Sequence, residues 1–263
     1  MKISVIGAGA MGGAIVEGLL KGSYVSNEDI CVSDASRHAV ERFAQSGANI
    51  TTENRVAAIG GDIVFVVVKP WLVEQVVRGI RKVLDYDRQL LVVVAAGISG
   101  QQLSEWLDKD GQLPPLWLCI PNIAIAQQAS MTFLSPVNAT TGQTDQLKAL
   151  LDSMGQTLVV DEKLLAAGTT LASCGIAYAM RYVRAAAEGG VELGFKADQA
   201  KQVVMQTMKG AVTLLEATGL HPEAAIDLVT TPGGVTIRGL NEMEHAGFTS
   251  AVIRGLKAGT KAP

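Results

Sequence analysis

The hydrophobic pattern of the chain changes once along its length. Up to about Asp161, short runs rich in β-branched residues alternate with stretches of helical spacing; beyond it only helical spacing remains. Residues 2–6 read as a strand, 11–21 as a helix, 30–33 as a second strand, 36–45 as a helix and 48–50 as a short strand. The runs 63–68 and 90–94 are apolar without interruption, the pattern of parallel strands buried on both faces. Helical spacing returns over 70–84. Ser99 and Gln102 have capping-box spacing and open a helix to about Leu107, before a sixth strand at 116–120. Phe133, Leu134 and 158–160 are edge strands, separated by Leu147, Leu150, Leu151 and Met154 at helical spacing. Such alternation predicts an α/β fold, a doubly wound parallel sheet with helices on both faces.

Helical patterns then cover 162–193, 198–218, 222–229 and 235–258. The helix starting near Lys163 is apolar on nearly every face through Leu171, Ile176, Ala177 and Met180. A helix of that kind must be enclosed by others, from its own chain or a partner's. The expected organisation is therefore an α/β domain over 1–161 and an all-α domain over 162–263.

Composition narrows the function classes. Of 263 residues, 48% are hydrophobic, 5% aromatic and 18% charged, which excludes a disordered chain. A formal charge of -3 offers no long-range attraction to nucleic acid or anionic lipid. Mean hydropathy is +0.28, yet the apolar runs fall far short of the roughly 20 residues a spanning helix needs. The apolar stretch after Lys2 is broken by Gly7, Gly9, Gly12 and Gly13, so it reads as mature structure rather than as a secretion signal. Cys31, Cys119 and Cys174 are far apart, as are His38, His221 and His245. No disulfide framework or metal site is expected, and the thiols point to a reducing cytoplasm.

Gly7-Ala8-Gly9-Ala10-Met11-Gly12 matches Gly-x-Gly-x-x-Gly directly after a strand and at the opening of a helix, the context that gives the pattern meaning. Gly7 permits the tight turn, Gly9 lets backbone approach a pyrophosphate, and Gly12 lets helix and sheet pack closely. The first domain is thus expected to be a dinucleotide-binding Rossmann domain. Asp34 ends the second strand about 20 residues further on, where an acidic side chain accepts from ribose hydroxyls and repels a 2′-phosphate. Arg37 stands close by and offers to hold that phosphate instead, so NADPH and NADH both stay open. Val68-Lys69-Pro70 closes the fourth strand, placing Lys69 over the ligand crevice, and Ala95-Ala96-Gly97 closes the fifth without side-chain obstruction to a flat ring. Near the C-terminus, Thr231-Pro232-Gly233-Gly234-Val235-Thr236 precedes helical spacing. A Gly-Gly pair opening a helix presents amides to a carboxylate, and Thr236 adds a hydroxyl.

Taken together, the segments at Gly7–Gly12, Asn54, Val67–Pro70, Ala95–Gly97, Pro121-Asn122 and Thr231–Ile237 resemble pyrroline-5-carboxylate reductase. Gly239-Leu240, Glu244 and Gly247-Phe248 continue the pattern. The resemblance implies reduction of the ring imine of 1-pyrroline-5-carboxylate to proline with NADPH or NADH, by a homodimer built through the helical domain and able to assemble further. It implies that Ile6, Gly7, Ala8, Gly9, Ala10 and Met11 hold the pyrophosphate and Asn54 the adenosine side. Val67, Val68, Lys69, Pro70, Ala95, Ala96 and Gly97 would line the nicotinamide half, with Glu162 close to the cofactor. Gly233, Gly234 and Val235 would meet the substrate carboxylate, with Thr236 on the ring nitrogen. Ile120–Ala124 and Ala172–Tyr178 depart from the family's Met-Pro-Asn-Thr-Pro and Ser-Gly-Ser-Gly-Pro-Ala-Tyr.

Imine reduction asks little of a protein: face-to-face orientation and a hydrogen bond or proton at the nitrogen. Two other classes share this layout. A related imine or β-hydroxyacid dehydrogenase is one, and the β-hydroxyacid enzyme would need a lysine at the ring, with Lys163, Lys196, Lys201 and Lys209 as candidates by position. A nucleotide-binding regulator without turnover would need none.

Overall fold

The structure, a computed structural model, describes residues 1–260. Eight strands form one sheet: β1 (Ile3–Ile6), β2 (Ile30–Ser33), β3 (Asn49–Thr51), β4 (Ile63–Val66), β5 (Leu90–Val93), β6 (Leu116–Ile120), β7 (Ser130–Asn138) and β8 (Gly155–Val159). Their order is β3-β2-β1-β4-β5-β6-β7-β8, parallel throughout except for the antiparallel β6–β7 pair. The chain leaves β1 towards one edge and returns at β4 towards the other. The β1/β4 boundary is therefore the switch point at which such sheets receive ligands.

Period-two alternation divides the interior into two cores. Ile63 and Phe65 of β4 face one layer, and Val64 and Val66 the other, all four fully buried. The first layer is closed by α1 (Ala10–Lys21), α2 (Arg37–Ala44) and α6 (Thr141–Asp152). The second is closed by α3 (Asn54–Gly60), α4 (Pro70–Arg81) and α5 (Gly100–Leu107). Complete burial of the central strands explains why they read as unbroken apolar runs. Polar groups inside are bonded across the core at several points: Ser4 Oγ donates to Ala57 O at 2.7 Å, and Trp117 Nε1 to Thr144 Oγ1 at 3.1 Å, whereas the buried Thr157 Oγ1 has no partner.

Several elements depart from the sequence reading. The helix α3 falls where the sequence suggested none. The strand expected at Phe133-Leu134 runs over nine residues, because β7 pairs with β6 on one side and β8 on the other. The pattern over 162–193 is one path with three geometries: a 3₁₀ turn and the short α7 (Leu165–Gly168), a π-type turn at Thr169–Cys174, then α8 (Gly175–Glu192). The pattern over 235–258 is two helices, α11 (Val235–His245) and α12 (Phe248–Gly259), separated where Gly247 takes φ +83.

Two compact units result, Met1–Ser173 and the described residues from Cys174 onward. The second contains α8, α9 (Ala197–Thr218), α10 (Pro222–Leu228), α11 (Val235–His245) and α12 (Phe248–Gly259). Within it α8 and α9 pack closely at Gly190, where a Cβ would stand 2.9 Å from that of Ala200. Many of its apolar side chains are open: Met180, Leu193, Met205 and Val235 are all exposed. No helix among the described residues is long and apolar enough to cross a membrane.

Candidate active site

The fingerprint turn is built around its glycines. Gly7 takes φ +105, and a Cβ there would stand 2.2 Å from Val67 O; a Cβ on Gly12 would stand 1.8 Å from Gly7 O. Gly9 has nothing within 4 Å of where its Cβ would be. The turn is therefore clamped on its inner side and open on its outer side. Beyond it α1 starts with no side-chain cap and no acidic residue in its first turn. The amides of Ala10, Met11 and Gly12 have no intrahelical acceptor, and the positive helix end stands beside open space. These residues fit a dinucleotide pyrophosphate.

Asp34 braces the turn from β2. Its Oδ2 accepts from Ala8 N at 2.8 Å and its Oδ1 from Ser36 N at 2.9 Å, while Gly7 N donates to Ser33 O at 2.7 Å. Arg37 is exposed and pairs with Glu41 at 3.1 Å. Asn54 opens α3, and its Oδ1 accepts from Ser33 Oγ at 2.6 Å. That makes Ser33 a second anchor of this corner. Its only signal in the sequence is a hydroxyl residue at the last position of an otherwise apolar strand.

Val67 N donates to Ile6 O at 2.7 Å, so Val67 extends β4 against β1 beside the glycine turn. Lys69 is exposed and caps α4, whose first residue is Pro70. Ala95 is buried, whereas Ala96 and Gly97 are exposed and Gly97 takes φ +79. Glu162 lies just past β8, and its Oε1 accepts from Gly100 N, the first amide of α5, at 3.1 Å. The sequence signalled the start of α5 by Ser99 and Gln102, whose reciprocal caps are both formed. It did not signal the partnership of Gly100 with Glu162. A link between two segments that depart from the resembled pattern also emerges, since Ser173 Oγ donates to Pro121 O at 2.9 Å. All of these residues lie in the first unit.

The Pro-Gly-Gly turn lies in the second. Gly233 takes φ +70, Gly234 N donates to Thr231 O at 2.9 Å, and a Cβ on Gly234 would stand 2.5 Å from Thr231 Oγ1. Gly234 caps α11 without a side-chain bond, so the amides of Val235 and Thr236 open the helix uncapped. Val235 and Thr236 are both exposed. Of the lysines weighed for a dehydrogenase, Lys163 pairs with Asp161 at 3.1 Å and Lys201 with Asp198 at 3.5 Å; both are exposed. Lys196, at the N-cap of α9, and Lys209, within that helix, are exposed as well. Among the described residues, no three or more His, Cys, Asp or Glu are grouped to hold a metal ion.

Comparison with known proteins finds matches in both units. Residues 2–97 match the family model for NADP oxidoreductase, coenzyme F420-dependent, and residues 162–262 match that for pyrroline-5-carboxylate reductase dimerisation. Pyrroline-5-carboxylate reductase 1 of Dictyostelium discoideum is 35% identical over 97% of this chain, which spans only 48% of that longer protein. The pyrroline-5-carboxylate reductase of Methanosarcina acetivorans is 32% identical, with 96% of this chain and 94% of that protein covered. The crystal structure of 1-pyrroline-5-carboxylate reductase from Streptococcus pyogenes superposes with a TM-score of 0.85 at 30% identity, covering 99% of this chain and 96% of that one. By the Methanosarcina and Streptococcus relatives, matched over nearly their whole length, and by its own glycine turn and Pro-Gly-Gly helix start, the chain belongs to the pyrroline-5-carboxylate reductase family of oxidoreductases.

Proposed function

We propose that this protein reduces the ring C=N bond of 1-pyrroline-5-carboxylate to give proline, the closing step of proline biosynthesis, at the expense of NADPH or NADH. The observation that carries the reading is the glycine turn, clamped by Val67 and Asp34 and open over Gly9 and the uncapped start of α1. A side chain at Gly7 or Gly12 would collide with the backbone that shapes that cradle, and one at Gly9 would project into its open side. Family membership supports the identity of the substrate.

Bound there, the nicotinamide supplies a hydride to the imine carbon. The protein's part is to hold, orient and polarise. The free amides of Ala10 to Gly12 bind the pyrophosphate, with Asp34 and Asn54 on the adenosine side. Val67, Val68, Lys69 and Pro70 flank the nicotinamide half together with Ala95, Ala96 and Gly97, where small side chains leave room for a flat ring. The amides at Gly233, Gly234 and Val235 bind the substrate carboxylate. Thr236 places its hydroxyl on the ring nitrogen, keeping a hydrogen bond where negative charge would otherwise develop. Orientation provides most of the acceleration.

The open apolar faces of α8, α9, α11 and α12 support a homodimer formed through the helical domain, the assembly after which the matching family model is described. Three unpaired cysteines suit a reducing cytoplasm. The test is turnover of the purified protein with 1-pyrroline-5-carboxylate and each cofactor. Saturable cofactor oxidation with formation of proline is expected, and binding of cofactor without oxidation would refute the reading.

A further inference from the structure

We propose that Glu162 is a positioning residue for hydride transfer, acting through Gly100 to hold the Ala95–Gly97 loop at the depth that the nicotinamide ring requires. This rests on the proposed function, because the loop matters only where a flat ring lies against it.

The loop is short and tied at both ends. Upstream, Val94 N donates to Val66 O at 2.9 Å and keeps the chain on the sheet. Downstream lies the N-terminus of α5, where three caps converge. Ser99 Oγ accepts from Gln102 N at 3.1 Å, Gln102 Oε1 accepts from Ser99 N at 2.9 Å, and Glu162 Oε1 accepts from Gly100 N at 3.1 Å. The first two caps are local and travel with the helix. The third comes from 62 residues away and is the one that fixes the helix start to the rest of the sheet.

Close packing shows that the third cap is built in. Gly100 is buried, and a Cβ there would stand 2.8 Å from Glu162 Oε2 and 2.9 Å and 3.0 Å from the two methyls of Val137. Val137 belongs to β7, and Glu162 follows β8, so two neighbouring strands press the carboxylate and the helix start together. A carboxylate at a helix N-terminus is favoured by the uncompensated amides and by the helix dipole. Between the two anchors, Ala96 and Gly97 have little side chain of their own to set their depth. The far anchor sets it.

Glu162→Gln keeps an acceptor oxygen, whereas Glu162→Ala removes it. Both variants and the wild-type protein are compared by amide hydrogen exchange over residues 95–103, with kcat and KM for 1-pyrroline-5-carboxylate measured alongside. In the Ala variant, exchange at the start of α5 should rise several-fold and kcat fall about tenfold, with the imine KM changed less than about twofold. The Gln variant should restore both. Unchanged exchange in the Ala variant overturns the proposal. A Gln variant as slow as the Ala variant, with exchange restored, also overturns it by making the charge act directly on the reacting groups. If the wild-type protein reduces no cyclic imine, the proposed function fails and the positioning role with it, whatever the exchange shows. Turnover by wild type with kcat unaffected in both variants rejects the positioning role alone.

Discussion

The carboxylate of Asp34 accepts a hydrogen bond from the amide of Ala8 at 2.8 Å, tying the end of β2 to the turn that opens α1. Its second oxygen accepts from Ser36 N, so both oxygens are held and the charge is fixed in place. One residue therefore shapes the glycine turn and, in the proposed cofactor-binding mode, sets the charge beside the adenosine ribose.

Asp34→Ala should separate those roles. Losing the brace on Ala8 should raise KM for NADH several-fold. For NADPH, release of repulsion on the 2′-phosphate should offset part of that loss. The ratio of kcat/KM for NADPH to that for NADH is thus expected to rise, and steady-state kinetics with both cofactors measures it. Equal losses for both cofactors would leave Asp34 as a brace only.

Gly12→Ala and Gly79→Ala form a contrasting pair. A Cβ on Gly12 would press 1.8 Å from Gly7 O, so backbone must move. A loss of about 1–3 kcal/mol is expected, together with loss of cofactor affinity. Gly79 lies inside α4 with nothing within 4 Å of its Cβ position. There alanine should stabilise by about 0.5–1 kcal/mol by reducing the freedom of the unfolded chain. Denaturant melts of both variants read out the difference.

The central sheet was legible because burial on both faces leaves no ambiguity: Ile63 to Val66 and Leu90 to Val93 have no polar side to hide. The glycine turn was legible because its backbone admits no side chain at Gly7 or Gly12. The helix α3 was not, since Asn54–Gly60 is short and ends in glycine. It is held by partners distant in sequence, with Gln89 Nε2 donating to Ala58 O at 2.6 Å and Ser4 Oγ to Ala57 O. β7 was cut short in the reading because Ser130, Thr132 and Ser135 look like surface positions, yet all three are buried. Ser130 and Thr132 bond each other through their hydroxyls at 3.0 Å. Helical spacing runs on through Gly247, and only its positive φ reveals the break between α11 and α12. At the site, residue types and order along the chain were readable, but the bonds from Asp34 to Ala8 and from Glu162 to Gly100 link segments no local pattern connects.

Cys119 predicts an alkaline limit to stability. Burial pushes its thiol from an ordinary 9.0 up to about 12. Raised in the folded state, this group contributes nothing adverse below about pH 9. Above that the unfolded chain ionises first, and stability falls by up to about 1.4 kcal/mol per pH unit towards pH 12. Cys119→Ala lacks this loss, so the stability gap between wild type and variant should narrow from about pH 9 upwards. Urea melts across that range would show it, and a constant gap would argue against the buried thiol as the cause.

Thr236→Ala tests the hydroxyl proposed for the ring nitrogen. If that hydrogen bond strengthens as the reaction proceeds, its removal should lower kcat about a hundredfold. Thr236→Ser should recover most of it, and the Kd for cofactor should be unchanged in both. A dehydrogenase working through a lysine would be little affected by either substitution.

The most direct test of the account is a progress curve for wild-type protein with 1-pyrroline-5-carboxylate, following NADPH or NADH oxidation and proline formation together. The account predicts one proline for each cofactor oxidised, at a rate that saturates in both reactants. Tight cofactor binding with no proline formed from either cofactor would contradict it.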